Sequence, residues 1–347
     1  MDGFIRLSAE DRRAACEEAQ RRSGLRAVNI EKDFWVCWTL RELFSLSGWG
    51  AHLTFKGGTS LSKAWDLIAR FSEDIDIVID RDFLGFGGDE SPEAAASRKQ
   101  RKARLEALKA ECQKRIRDEL LPALETRFRQ ILPTGLVWSL VPAAADEDPD
   151  RQTLLFEYPS VLATVSGYVR PVVKIEMGAR SDTEPAQDPV IRPYLADVFP
   201  ALMGPSNVQV RALAPERTFW EKAMLLHEET YRPAGRARKA RLARHYYDLW
   251  CLITKGVAAR AVASPGLFER VATHREVFFN WSWMDYSSLQ AGRLRLVPLE
   301  AQLPEWRHDY ESMSREMFAG DVPAFDEVLR VVGGFERDLN LRGGSTS

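Results

Sequence analysis

Phe55-Lys56-Gly57-Gly58-Thr59-Ser60-Leu61-Ser62-Lys63, followed shortly by Arg70-Phe71-Ser72-Glu73-Asp74-Ile75-Asp76-Ile77, decides how this chain is read. The apolar run 52–55 reads as a short strand, the two glycines as a turn, and 60–68 as a helix. Glycine adopts backbone angles closed to other residues and lets amides approach a ligand closely. A turn leading into a helix offers unpaired N–H groups and a positive dipole end, both suited to a phosphate. The hydroxyls of Thr59 and Ser60 can cap such a helix or donate to phosphate oxygens.

Asp74 and Asp76 alternate with Ile75 and Ile77 in a run that continues through Val78 and Ile79. A strand has period two, so both carboxylates face one side and the isoleucines face a core. Paired hard oxygen ligands suit Mg2+, and two such ions serve an attacking hydroxyl and a pyrophosphate leaving group. Taken singly, each piece has a plainer reading: the wet face of a strand, or an ordinary turn. A bare Asp-x-Asp also fits a sugar-nucleotide glycosyltransferase. In this order and spacing the pieces point to nucleotidyl transfer.

The run 54–79 resembles the signature of the AbiEii/AbiGii toxin family, DNA polymerase beta-like nucleotidyltransferases of bacterial toxin-antitoxin and phage-abortive systems. The likeness lies in residues 56–63 and 70–77, quoted above. It implies an α+β fold, a polymerase beta-like mixed sheet with flanking helices and a C-terminal helical lobe. It places Gly57, Gly58, Thr59, Ser60, Lys63 and Ser72 around the nucleotide. Related toxins such as the mycobacterial MenT group transfer nucleotides to tRNA acceptor ends. The resemblance therefore implies Mg2+-dependent transfer of NMP from an NTP to the 3′ end of tRNA, blocking translation, with Mn2+ as an alternative ion. It also implies a cognate antitoxin, for which a winged-helix protein is a candidate.

The third metal-binding carboxylate belongs on a neighbouring strand. Glu176, in Val172-Val173-Lys174-Ile175-Glu176-Met177, has the required alternation, with Lys174 on the same face and Ile175 on the other. Here Lys174 moderates repulsion or touches phosphate, and Glu176 helps to deprotonate the incoming hydroxyl. A cross-strand ion pair is the plainer alternative. The position also fits the family's third acidic motif.

Two charges in the later, helical part are hard to read as surface. Lys222 has Thr218, Phe219, Leu225 and Leu226 as helical neighbours, and Asp248 is the lone charge in 246–253. A lysine in an apolar stripe either snorkels out or points into a polar cleft. A buried carboxylate needs a partner, and Arg244, one helical turn earlier, is the structural candidate. Phe219-Trp220-Glu221-Lys222-Ala223 and 244–250 resemble later motifs of the same family, which implies that Lys222 contacts triphosphate and Asp248 orients polar groups around it.

Composition sets the outer bounds. The 347 residues, 45% hydrophobic and 28% charged, describe an ordinary globular protein. No apolar stretch is long enough for a bilayer and no signal-peptide core is present, so a cytoplasmic enzyme with no membrane role is expected. Cys16, Cys37, Cys112 and Cys251 are scattered and read as small buried hydrophobes. The net charge of −2 conceals two basic clusters, 98–117 and 232–244, which either collect phosphates or form solvated surface. Phe278, Phe279, Trp281, Trp283 and Tyr286 could stack bases, but they read more readily as packed aromatic core and are assigned to no site.

Helical periodicity covers 8–22, capped by Ser8, and 30–47, stopped by Gly48. A loop rich in small residues at 85–96 precedes a basic helix over about 97–130, and strands are expected at 136–141, 153–158 and 171–177. The expected organisation is N-terminal helices over 1–50, a nucleotidyltransferase core over 51–213 and a helical lobe over 214–340, with a frayed tail at 342–347. Two other functions use the same residues: adenylylation of a protein hydroxyl, and a nucleotide- or antitoxin-binding module without catalysis.

Overall fold

The structure, a computed structural model, describes residues 1–70, 72, 74–162, 170–317 and 322–343. Two units divide the chain, residues 1–65 with 71–213 and residues 66–70 with 214–347. Phe71 and Glu73 of the second motif, and most of the expected tail, lie outside the described residues.

The first unit is built on strands β1 (Leu53–Lys56), β2 (Ile75–Ile79), β3 (Ser139–Pro142), β4 (Thr153–Glu157), β5 (Val172–Gly178), β6 (Ala186–Gln187), β7 (Val190–Ile191), β8 (Val208–Gln209) and β9 (Ala212–Leu213). Among the described residues a seven-stranded mixed sheet runs β3-β4-β5-β2-β1-β9-β6, and β7 pairs with β8 apart from it. The β5/β2 and β1/β9 pairs are parallel; the other pairs are antiparallel. The strands after β5 have only two residues each, too short to leave a periodic signal in the sequence.

Period-two alternation gives the sheet two unlike faces. Phe55 pairs with Ile77, Ile75 with Ile175, Ile175 with Leu154, and Val173 with Phe156, so one face is continuous hydrocarbon. On the other face Lys56 pairs with Asp76 and Asp76 with Glu176, a row of charge across three strands. A slip of one residue would exchange the faces, so burial of the apolar side locks the register of the charged side.

Helices α1 (Asp2–Ile5), α2 (Ala9–Ser23), α3 (Ala27–Phe44), α4 (Gly57–Lys63), α5 (Arg98–Arg115), α6 (Leu121–Ile131), α7 (Leu195–Val198) and α8 (Pro200–Met203) complete the unit. Ser8 caps α2 by accepting the Asp11 N–H at 3.0 Å. The helix expected to run to 47 ends at Phe44, and Gly48, at φ +76°, lies beyond it. α3 covers the apolar face: Trp35 stacks on Tyr158 at 5.6 Å, and Trp38 meets Phe128 at 4.6 Å and Phe156 at 5.6 Å. The long basic helix is broken by a π turn at Ile116–Leu120. Pro122, two residues on, has no N–H to give its preceding turn and crowds that turn's carbonyl, which a wider turn relieves.

The second unit is helical among its described residues: α9 (Pro215–Thr230), α10 (Arg244–Thr254), α11 (Val257–Ala263), α12 (Leu267–Phe278), α13 (Leu303–Met317) and α14 (Phe325–Gly343). α9 is its axis. Phe219 packs edge-on to Phe335 at 5.1 Å and Trp220 to Phe268 at 4.9 Å, while Arg275 of α12 binds the Glu228 carboxylate through two nitrogens. No described helix is long and apolar enough to cross a membrane.

Phe156 is fully buried among the rings of Trp35, Trp38, Phe128, Trp138 and Tyr158. Phe156→Ala should cost about 3–5 kcal/mol through lost transfer energy plus the cavity left behind. Urea unfolding of the variant beside wild type measures it.

Candidate functional site

The glycines of the first motif do not precede the helix; they open it. α4 starts at Gly57, with Lys56 as its N-cap and no side-chain cap. Thr59 and Ser60 therefore lie within the first helical turns, buried, and neither caps the helix as expected. Thr59 Oγ1 instead donates to the carbonyl oxygen of Asp74 at 2.5 Å and lies 2.9 Å from Ser72 Oγ. The two halves of the motif are thereby tied together through backbone and hydroxyl groups.

Gly57 has φ +82° and sits against Asp76: a Cβ added there would overlap the Asp76 carboxylate. Both the left-handed backbone angle and the close approach require glycine at this position. The contact brings the carboxylate of β2 onto the first residue of α4, so the glycine motif and Asp76 form one site.

Glu176 lies beside Asp76 on the charged face, and its carboxylate is paired with Lys174. Burial opposes charge on Lys174, but Glu176 first, and Asp74 and Asp76 behind it, raise its pKa above the ordinary lysine value. One ammonium group thus answers three carboxylates. Among the described residues no three His, Cys, Asp or Glu side chains converge closely enough to hold a metal ion. Chemically the donors suit Mg2+, since Asp74, Asp76 and Glu176 offer only hard oxygen. Lys174 stands among them as a cation and offsets part of their charge. Lys56, in the same row, donates to Ser181 Oγ at 2.8 Å.

Lys63 is not placed with these groups. Its ammonium meets the buried Asp33 carboxylate of α3 at 2.7 Å and lies 3.8 Å from the Tyr194 ring centre. Burial works against its charge, yet Asp33 holds its pKa above the usual lysine range. Lys63 therefore fastens the last turn of α4 to α3, a role for which the short motif carries no signal because Asp33 is remote in sequence.

The later motifs meet in the second unit. Asp248 has no exposed surface, and among the described residues its ion-pair partner is not Arg244, the plainer alternative from sequence. Arg70 takes that place with two bonds, Nε to Oδ1 at 2.7 Å and Nη2 to Oδ2 at 2.9 Å, and Lys222 Nζ lies 2.8 Å from Oδ2. The bidentate geometry of Arg70 suits a planar carboxylate better than one turn of α10 allows for Arg244. Burial would raise the Asp248 pKa, but Arg70 and Lys222 hold it well below the carboxylate range. Lys222 is shifted down by burial, with Arg70 adding to the shift against the pull of Asp248. Arg70 and Lys222 thus both bind this one buried carboxylate. His245, 3.3 Å from Lys222 Nζ, is kept neutral by burial and by Lys222 and Arg244. Arg70 was visible within the quoted motif, but only folding reveals its partner.

The basic clusters are partly spent on ion pairs. Lys109 binds Asp150, Arg232 and Arg238 bind Glu229, and Arg115 lies over Phe83. Arg98, Lys99, Lys102, Lys114 and Arg117 of the first cluster remain exposed. All four cysteines are buried and unbonded.

The family model described as nucleotidyl transferase AbiEii toxin, type IV TA system, matches residues 38–331. Among solved structures the chain is similar to MenT4, a nucleotidyltransferase toxin from Mycobacterium tuberculosis H37Rv. That likeness has 15% identity and a TM-score of 0.35 over 95% of this chain and 99% of the other. No curated protein gives a significant match.

Asp248→Asn would leave Arg70 and Lys222 buried against a neutral group, so it should cost about 3–5 kcal/mol near neutral pH. The native pKa of Asp248 lies below its ordinary value of 3.8. Its stabilisation is therefore complete above that value and is lost as pH falls toward the native pKa. In urea unfolding, the gap between wild type and variant should persist down to about pH 4 and narrow below it.

Proposed function

The chain belongs to the AbiEii nucleotidyltransferase toxin family of type IV toxin-antitoxin systems, and from that premise we propose Mg2+-dependent transfer of a nucleoside monophosphate from an NTP to the 3′ end of tRNA. The observation that carries this reading is the contact of Asp76 with Gly57, which joins the acidic row of the sheet to the glycine start of α4. Gly57, Gly58, Thr59 and Ser60 shape the phosphate cradle, chiefly through backbone, and Ser72 braces it through Thr59.

Asp74, Asp76 and Glu176 are the residues that would hold Mg2+, which when bound would neutralise the charge that builds on the phosphates. In the reaction the acceptor hydroxyl oxygen bonds to the α-phosphorus as the bond to the β-phosphate oxygen breaks. Pyrophosphate leaves with that electron pair, and Glu176 accepts the hydroxyl proton. Lys174 balances the carboxylates while the nucleotide is absent. Lys222 acts on the triphosphate, as its motif implies. Asp248 and Arg70 position that lysine. Membership of the family implies an antitoxin partner; a winged-helix protein is the form proposed for it.

Purified protein incubated with total tRNA, Mg2+ and each α-labelled NTP in turn should label tRNA. Asp76→Ala should reduce labelling to background while leaving the thermal melt near that of wild type. Label that depends on Asp76 but resides on protein would replace tRNA with a protein acceptor, and full activity of the variant would sink the metal assignment.

Lys222 must be charged to hold phosphate, and its pKa lies below the ordinary 10.5. The KM for NTP should therefore rise as pH climbs through that lowered value. Lys222→Arg, charged throughout, should lose this alkaline limb. A pH series of initial rates reads both.

A further inference from the structure

Trp281 does not belong to a packed core, contrary to the reading preferred from sequence, and Trp283 is half-buried. Trp281 is 41% exposed, and the two rings stack at 5.9 Å between centres with 13° between planes. Beside them, in the same unit, runs the basic loop between α9 and α10. The Arg232 and Arg236 guanidinium carbons lie 5.3 Å and 6.0 Å from the centre of the Trp283 ring. An indole pair flanked by guanidinium planes leaves the outer ring open to one more flat group.

The charge around this stack is positive. No acidic residue occurs between Glu229 and Asp248, whereas Arg232, Arg236, Arg238, Lys239, Arg241 and Arg244 all do. Glu229 is used by Arg232 and Arg238, and Glu305 by Arg238. Asp285, the acid of the tryptophan loop, accepts hydrogen bonds from its own Ser287. Among the described residues Arg236 and Lys239 have no ion-pair partner, and both are exposed. Flat aromatic faces beside unspent cations match the two components of a single nucleic-acid strand, bases that stack and phosphates that need countercharge. A duplex hides its base faces and would use only the charge.

We propose that Trp281, Trp283 and the 232–241 loop form a docking surface for a single-stranded nucleic-acid segment, with a base stacked on Trp281 and phosphates on Arg236 and Lys239. This goes beyond nucleotide transfer, since it concerns strand binding by the second unit with no NTP present.

The test uses the full chain, without NTP, and fluorescence anisotropy with a short fluorescein-labelled oligoadenylate, its deoxy counterpart and a duplex of equal length. Trp281→Ala should raise the Kd for single strands by roughly tenfold, the loss of one stacked base, and leave duplex binding unchanged. Trp281→Phe should restore most of the affinity. Equal loss for both single strands would identify the shared base and phosphate chemistry; loss for the ribo-oligomer alone would make the surface specific for RNA. The proposal is overturned if wild type binds neither single strand, if Trp281→Ala binds them as wild type does, or if duplex affinity falls by the same factor. Failure of nucleotide transfer to any RNA, with the single-strand effect intact, would leave this inference standing and remove the transfer reading alone.

Discussion

Everything in the first unit depends on the register that β1, β2, β4 and β5 share. The apolar rows through Phe55, Ile77, Ile175 and Phe156 are buried beneath α3, and exposing them would forfeit several large side chains at once. Because side chains alternate, the same burial fixes Lys56, Asp76 and Glu176 as neighbours on the opposite face. The acidic row is costly by itself, since like charges repel. The hydrophobic face is what holds it in place, and Lys174 moderates the repulsion.

The first turn of α4 adds a second constraint to that register. Asp76 presses so closely on Gly57 that no side chain fits between them, and Thr59 reaches across to the Asp74 carbonyl. The far end of the same short helix is fixed by Lys63 on Asp33. A helix this short has little stability of its own. Its position therefore comes from these polar ties at both ends, and the site gains rigidity from residues that need not touch a ligand.

Buried charge is paired in both units. Lys63 with Asp33 is a matched buried pair, and Arg275 with Glu228 is another. Arg70 and Lys222 both bind the Asp248 carboxylate. Removing either cation from such a buried carboxylate, or the carboxylate from its cations, leaves a charge without its partner and costs far more than breaking an exposed pair. The exposed tryptophan stack differs from these paired groups, since it leaves ring surface uncovered next to exposed cations.

By itself the sequence determined the elements whose signals are local. Period-two alternation at 75–79 and 172–177 placed Asp76 and Glu176 on one face, with Asp74 just before the strand, Ser8 marked a helix start, and the glycine motif marked a close approach. Tertiary structure alone decided the partners. Arg70 rather than Arg244 holds Asp248, Lys63 turns to Asp33, Thr59 binds the Asp74 carbonyl rather than capping α4, and Trp281 stays at the surface. The physical reason is range. Alternation, capping and backbone freedom are set by residues a few positions apart, whereas a buried charge or ring takes whichever partner the packed chain brings within a few ångströms.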